Sequence, residues 1–576
     1  MNTLYCGDNL DILRRYIEDE TVDLVYLDPP FKSNQDYNVL FAEKNGSRSA
    51  AQIKVFGDTW TWDQASAAAY EELVEAGGKA SQTMQAFRQL LGDNDMLAYL
   101  SMMAPRLKEL QRVLKSTGSV YLHCDPTAGH YLKVLMDAVF GLANFRNEVL
   151  WRRTATHGKS RRYGPVHDII LFYTKTQGYQ WHFPKKPYMR KHVEQYFVQD
   201  GQDWKTRYYG NVLTGSGLRS GESGRTWQGF DPSAKGRHWA IPRAIVEESG
   251  EDMSLLSQRQ KLDRLLELGY ITIDSEQAWP IYERRVKPGD GQNVTDIWAF
   301  QPYTEGTVFG TERGIDEDVR WLSPQDQERL GYQTQKPEGI LERIIRASTS
   351  EEDVVLDPFC GCGTTVAVAQ RLNRKWIGID VTHLAITLIK HRLHSAFGGA
   401  AEYEVIDEPI SVPDAQALAA KDPYQFQWWS LGLVHARPTE QKKGADRGID
   451  GRLYFHDEGE GGKTKQIVMS VKAGHLNVTH LRDLRGVVER EKAQIGVLLC
   501  MEEPTKAMRS ESASAGFYAS PWGTRHPRLQ ILTIGAILED GAGIDYPAPR
   551  HLNVTFKKAK RAKVAQPHTP RLPFDQ

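Results

Sequence analysis

The chain has 576 residues, of which 40% are hydrophobic, 25% charged and 10% aromatic; this excludes a disordered or collagen-like chain and, at roughly 150 residues per domain, predicts three or four folded units. Lys and Arg total 72 against 73 Asp and Glu, so the formal net charge of -1 excludes a globally basic nucleic-acid binder. No apolar run approaches the roughly 18 residues of a membrane span, and MNTLYCGDNL lacks the charged-then-apolar layout of a signal peptide, so the expectation is a cytoplasmic protein without a membrane partner.

In GDNLDILRRYIEDETVDLVYLDPPF, Gly7-Asp8 closes a short apolar run, residues 10–17 predict a short helix, and Val22–Leu27 predicts a buried strand stopped by Asp28-Pro29-Pro30. Residues 32–95 read as an insertion with weak helical character at 65–76. An amphipathic helix is predicted over 96–114, then a strand over 119–123, a helix over 129–140, and strands near 148–152 and 168–173. Such alternation favours a parallel sheet covered on both faces.

Residues 176–325 lose this regularity, with one helical piece near 255–268. Across 151–250 there are 17 Lys and Arg against 8 Asp and Glu, with 16 aromatic residues. Cations neutralise phosphates and rings stack on exposed bases, so this composition suits a nucleic-acid surface, though a solvated basic region over buried aromatics has the same composition. The βα alternation returns with a helix over 337–348, a strand over 353–356, a helix over 364–372 and a strand over 375–379. Residues 399–420 read as a linker, 421–550 as a further α/β unit and 551–576 as a basic tail, in which six basic and no acidic residues fall between Lys557 and Arg571.

Two stretches carry chemistry. LDPFCGCGTT (356–365) follows a strand and opens a helix; its glycines let the backbone approach a ligand, and the helix N-terminus beyond offers free amides. About twenty residues on, Asp380 ends the next strand, where a carboxylate can hold the hydroxyls of a ribose. The second stretch is Asp28-Pro29-Pro30-Phe31 at the carboxyl end of its strand. A carboxylate beside a stiff turn can accept a hydrogen bond from an amino group, the Pro29 carbonyl can accept another, and an aromatic ring can stack on a base. The five cysteines offer no paired spacing for zinc, so no structural metal is expected.

Together these residues resemble the S-adenosylmethionine-dependent amino-methyltransferases of DNA, and within them the β class, in which the catalytic half precedes the cofactor half. The resemblance covers about residues 1–398. It rests on DPPF, on GSVYLHCD (118–125), NFRNEVLW (144–151), HDIILFYTK (167–175) and GYQTQKPEGILERII (331–345), and on LDPFCGCGTT. It implies an α/β fold: a Rossmann-like methyltransferase sheet, with a catalytic half at 1–175 that holds the insertion, an inserted target-recognition region at 176–325, and a cofactor half at 326–398. Asp357, Phe359, Gly361, Gly363 and Thr364 then form the cofactor loop, Asp380 holds the ribose, and Thr334, Lys336 and Pro337 lie near the methionine end. Asp8 approaches the adenine. Asp28 and the Pro29 carbonyl hold the target amino group and Phe31 stacks on the flipped base, with Pro30 stiffening the turn. The implied partner is double-stranded DNA, in a restriction-modification or defence setting. Room remains for a homodimer and for a separate restriction or motor subunit.

Methylation of a cytosine ring carbon needs a cysteine nucleophile, which follows a proline in enzymes of that kind; Cys6, Cys124, Cys360, Cys362 and Cys500 all lack one. The Asp that opens DPPF favours the N6 amino group of adenine, with the N4 amino group of cytosine as the alternative. Gly158-Lys159-Ser160 and Gly462-Lys463-Thr464 lack the glycine five residues upstream that a phosphate loop requires, so no ATP-driven motor is expected.

In the last unit, GADRGIDGRLYF (444–455) followed by KQIVMSVKAG (465–474) resembles Mrr-like restriction-endonuclease domains. The resemblance places Asp450 and Lys472 beside a divalent metal such as Mg²⁺. Ser470 stands where an acidic or amide residue is usual, and Gln425 and Gln427 where a helical Glu is common. A bifunctional enzyme with Mg²⁺-dependent cleavage and a non-cleaving DNA-binding remnant both fit.

Overall fold

The structure, a computed structural model, describes residues 1–30, 62–155, 161, 163–189, 195, 197–200, 203–208, 213–273, 279–286, 291–301, 315–332, 334–439, 448–458, 463–547 and 553–561. Phe31 and the first part of the insertion, residues 32–61, lie outside them. The chain divides into two units: the first comprises Met1–His182, Asp296–Ala299 and Asp318–Thr569, and the second is built on Phe183–Thr295 and Phe300–Glu317.

The first unit opens with β1 (Asn2–Cys6), α1 (Asn9–Tyr16) and β2 (Val22–Leu27). Every residue of β2 is buried, as a strand covered on both faces requires. That burial includes Asp23, whose carboxylate is paired with Lys115 at 2.7 Å and accepts from the Val354 amide at 2.9 Å, so its charge is compensated. There follow α2 (Gln64–Glu75), α3 (Gly78–Leu91), α4 (Asp95–Val113), β3 (Leu114–Cys124), α5 (Pro126–Phe140), β4 (Phe145–Arg152), β5 (His167–Thr174) and β6 (Ile297–Trp298). After these come α6 (Glu338–Ser348), β7 (Val354–Asp357), α7 (Thr364–Arg371), β8 (Lys375–Asp380), α8 (His383–Phe397) and β9 (Tyr403–Ile406).

Among the described residues these strands form one nine-stranded sheet, ordered β6-β4-β5-β3-β2-β7-β8-β1-β9. β5 runs antiparallel to β3 and β4, while β3, β2, β7, β8, β1 and β9 are parallel. The expected doubly wound α/β sheet is therefore present. Its central pair, β2 and β7, comes from chain segments about 330 residues apart, with Val355 opposite Leu24 and Leu356 opposite Val25.

Residues 399–420 depart from the expected linker. Their Gly-Gly-Ala-Ala opening reads as flexible, yet Tyr403–Ile406 forms the edge strand β9, and Ser411 caps a helix, α9 (Val412–Lys421). The remainder of the unit holds α10 (Pro423–Leu433), β10 (Arg437–Pro438), β11 (Gly451–Phe455), β12 (Lys465–Lys472), α11 (Val478–Arg490), β13 (Ile495–Cys500) and β14 (Leu529–Thr533). A five-stranded mixed sheet runs β10-β11-β12-β13-β14. The start of the expected basic tail is docked: the Thr555 hydroxyl accepts from the Tyr454 amide at 2.8 Å, and Phe556 is buried against Trp428.

In the second unit, Phe197–Asp200, Asp203–Tyr208, Ile271–Thr272 and Ile281–Val286 form a four-stranded sheet. Its core gathers Leu213, Trp227, Trp239, Leu262, Leu265 and Tyr282. The tryptophans of the region read as basic and aromatic thus include core residues.

Candidate active site

The parallel strands end together along one edge, where open α/β sheets bind their ligands. Asp28 ends β2, Asp357 ends β7, Asp380 ends β8, and Gly7-Asp8 follows β1, with Cys6 paired to Asp380. The edge thus joins the two motifs that lie farthest apart in the sequence.

Asp28 forms an ion pair with the Lys336 ammonium through its Oδ2, and both side chains are largely buried. Its Oδ1 carries no partner among the described residues. Pro29 is buried and Pro30 half-buried, which stiffens the turn after β2. Behind Asp28, the Tyr26 hydroxyl meets His123 Nδ1 at 2.9 Å; His123 Nε2 meets Asp168 at 3.2 Å, and Asp168 pairs with Arg153 at 3.1 Å. Burial raises the Tyr26 phenol well above its ordinary range, helped by the charges of Asp28 and Asp357, so it stays protonated.

The loop after β7 is built on two glycines with positive φ, Gly361 at 50° and Gly363 at 72°. A Cβ on Gly361 would stand 3.2 Å from the Tyr332 ring, and one on Gly363 would stand 2.7 Å from Ile389, so both conformation and space require glycine. Asp357 accepts from the Phe359 amide at 3.0 Å and the Thr365 hydroxyl at 2.5 Å. Burial nonetheless pushes its carboxyl up to about 7, with Asp28 and Asp380 adding repulsion. Asp380 accepts from the Gly361 amide at 2.9 Å and from the Thr382 amide and hydroxyl, and burial raises it too. Two carboxyls held out of water at the edge of a glycine loop suit a ligand that carries positive charge and hydroxyl groups.

Of the other residues expected at the cofactor side, Thr364 is buried in the first turn of α7. Thr334 and Lys336 are half-buried in the segment that leads to α6, and Pro337 is the residue before that helix. Asp8 is engaged within the protein: Oδ1 caps α1 through the Leu10 and Asp11 amides, and Oδ2 pairs with Arg106 at 2.6 Å. The sequence reading missed Arg106 and Asn9. Arg106 Nε donates to Asn9 Oδ1 at 2.6 Å, and Asn9 Nδ2 donates to the Pro358 carbonyl at 2.7 Å, so α4 holds the loop after β7 through α1. An arginine within the apolar run of residues 96–114 was the available signal. Arg392 was missed as well; it donates to Thr364 at 3.1 Å and pairs with Glu338 at 2.7 Å.

In the C-terminal sheet the residues do not fit a Mg²⁺ site. Asp450 Oδ2 accepts from the Val471 amide at 2.7 Å and the Ser470 hydroxyl at 3.1 Å, so one of its two carboxylate oxygens is engaged within the protein, and no second carboxylate stands beside it on β12. Gln425 turns away to the His383 amide, and no cluster of three or more His, Cys, Asp or Glu able to hold a metal occurs among the described residues. The expectation of metal at Asp450 with Lys472 is corrected accordingly: a single carboxylate, already engaged, leaves no hard-cation cage.

Residues 22–391 match the family model described as DNA methylase, for N6 and N4 methyltransferases. Residues 424–521 match the model described as NACHT-associated inactive Restriction Endonuclease 1. The chain is similar to the type II methyltransferase M.EcaI of Enterobacter cloacae, at 27% identity over 74% of this chain and 77% of that protein. It is also similar to the StyLTI Mod subunit, a type III restriction-modification enzyme of Salmonella typhimurium, at 26% identity over 76% of this chain and 61% of that protein. Among solved structures, the DNA modification methylase TTHA0409 from Thermus thermophilus, complexed with S-adenosyl-L-methionine, aligns at 14% identity over 71% of this chain and 99% of that one, with a TM-score of 0.32.

Proposed function

Because this chain belongs to the N6/N4 DNA methylase family, we propose that it moves the methyl group of S-adenosylmethionine to the N6 amino group of adenine in double-stranded DNA, as a β-class enzyme of a restriction-modification system. The observation that carries this reading is the meeting of Asp28 with Lys336, Asp357 and Asp380 along one sheet edge. Asp357, Phe359, Gly361, Gly363, Thr364 and Asp380 hold the cofactor, with Thr334, Lys336 and Pro337 toward its methionine end and Asp8 on its adenine side. When bound, the cofactor supplies an electrophilic methyl group. Asp28 Oδ1 and the Pro29 carbonyl accept the two N–H bonds of the target amino group. That pull localises the nitrogen lone pair otherwise spread into the ring, so that the N–C bond would form as the S–C bond breaks, the cofactor would leave as a neutral thioether, and the methylated nitrogen would shed one proton to solvent, with no covalent enzyme intermediate.

The type III Mod relatives support a separate restriction subunit as partner. Residues 176–325 serve as the target-recognition region in this reading. Among the described residues no helix is long and apolar enough to cross a membrane. The test is transfer of labelled methyl groups to unmethylated DNA, followed by digestion to nucleosides. N6-methyladenine supports the proposal, N4-methylcytosine keeps the mechanism and moves the target, and no labelled nucleoside removes both.

Two further results are expected. The Asp357 carboxyl must ionise to attract a sulfonium, and its value lies near 7, so cofactor affinity should rise from pH 6 to pH 8. Titration of the wild type and of Asp357→Asn at both pH values checks this; the dependence should be lost in the variant. The C-terminal domain should cut no DNA with Mg²⁺, and Asp450→Ala and Lys472→Ala should methylate as the wild type does. A plasmid nicking assay on the wild type and both variants decides it.

A further inference from the structure

Resting on the cofactor assignment proposed above, we infer that the restriction-endonuclease-like domain is a built part of the cofactor site: its first helix, α10, braces α8, and α8 positions the cofactor loop and Asp380. α8 holds the loop at two points. Ile389 packs so closely under Gly363 that no Cβ fits there, and Arg392 donates to the Cys362 carbonyl at 3.3 Å and the Thr364 hydroxyl at 3.1 Å. The same helix begins just beyond Asp380, where Thr382 both donates to the Asp380 carboxylate and caps the helix through the Ala385 amide.

α10 meets a different face of α8. The first amides of a helix have no partner within it, and here the His383 amide donates to Gln425 Oε1 at 3.1 Å. Along the stripe formed by residues 384, 387 and 388, Trp428 packs with Leu384 and Leu388, while Gly432 comes so near Thr387 that a Cβ would stand 2.5 Å from its hydroxyl. Tyr332 packs against the same cluster, and its ring lines Gly361 in the loop. Gln425 thus occupies a helix where the nuclease resemblance places an acidic residue, but its amide serves the neighbouring methyltransferase. Among its described residues this domain has no metal-ligand cluster, and the contacts of its first helix converge on the cofactor side.

Gln425→Met removes the acceptor at similar length, Trp428→Ala removes the packing, and Trp428→Phe keeps most of it. In the full chain, titration with S-adenosylmethionine should show binding about tenfold weaker in Gln425→Met and Trp428→Ala, as loss of a buried partner implies, with Trp428→Phe near wild type. In methyl-transfer assays the KM for the cofactor should rise while kcat at saturating cofactor and the affinity for DNA hold. Equal cofactor affinity in the wild type and both variants would overturn the inference and leave the cofactor reading standing. Loss of DNA affinity in step with a lowered Tm would overturn it too, since that marks general loosening. No binding by the wild type would remove the cofactor reading and the inference with it.

Discussion

Replacing Asp28 by alanine is expected to lower kcat for methyl transfer by about 10³-fold, with DNA affinity unchanged, because under the proposed function the substitution removes the group that polarises the target nitrogen and leaves the rest of the protein intact. An exocyclic amino group on an aromatic base is a poor nucleophile, and no other carboxylate ends β2 to take over. The cofactor should also bind somewhat more weakly. Lys336, having lost the carboxylate it pairs with, adds to the positive charge that a cationic sulfonium meets at this edge. Asp28→Asn keeps the size and one acceptor but presents an amide N–H₂ when its carbonyl turns to Lys336, so it should recover cofactor affinity better than rate. Single-turnover kinetics separate the two effects. A kcat within tenfold of the wild type in Asp28→Ala would place the reacting amino group elsewhere.

Lys336→Met is expected to cost about 3 kcal/mol of stability and about 10²-fold in rate, since it strands a largely buried carboxylate. Asp357 and Asp380 stand along the same edge, and without the ammonium the cluster relieves its repulsion by holding a proton. Chemical denaturation of the double variant Asp28→Asn with Lys336→Met supplies the control. Neutralising both partners should return most of the stability that Lys336→Met alone loses, and a strictly additive result would show that the pair is not coupled.

The two motifs were legible because their chemistry is local. Asp28 and Asp357 each end a short apolar strand, and turns of Pro-Pro and Gly-x-Gly announce themselves in any context. The regular βα alternation likewise follows from periodicity and caps. Residues 399–420 were misread because flexible composition is only a statistical sign; the alternation of Tyr403 and Val405 at the edge of the sheet, together with the Ser411 cap, outweighed it. Arg106 left one trace, an arginine within an apolar run, but the partners of Arg106, Asn9 and Arg392 were not legible, since a polar residue in a helix looks solvated until its partner, 28 to 349 residues away, is known. Asp450 shows the opposite failure. Its motif is present, yet Ser470 stands where a second ligand would be and, with the Val471 amide, binds one Asp450 oxygen within the protein.

What the sequence by itself determined is the set of parts: a strand that stops at Asp-Pro-Pro, a glycine-rich loop between strand and helix, their order along the chain, and a last α/β unit with an incomplete metal set. Residue types and spacings of a few positions carry all of these. What only the tertiary structure decided is which parts act on one another: Lys336 on Asp28, α8 under the loop, and Gln425 on the His383 amide. Contact between residues 26 to 308 positions apart is set by sheet order and helix packing, which sum weak preferences over the whole chain, and no short stretch of sequence contains that sum.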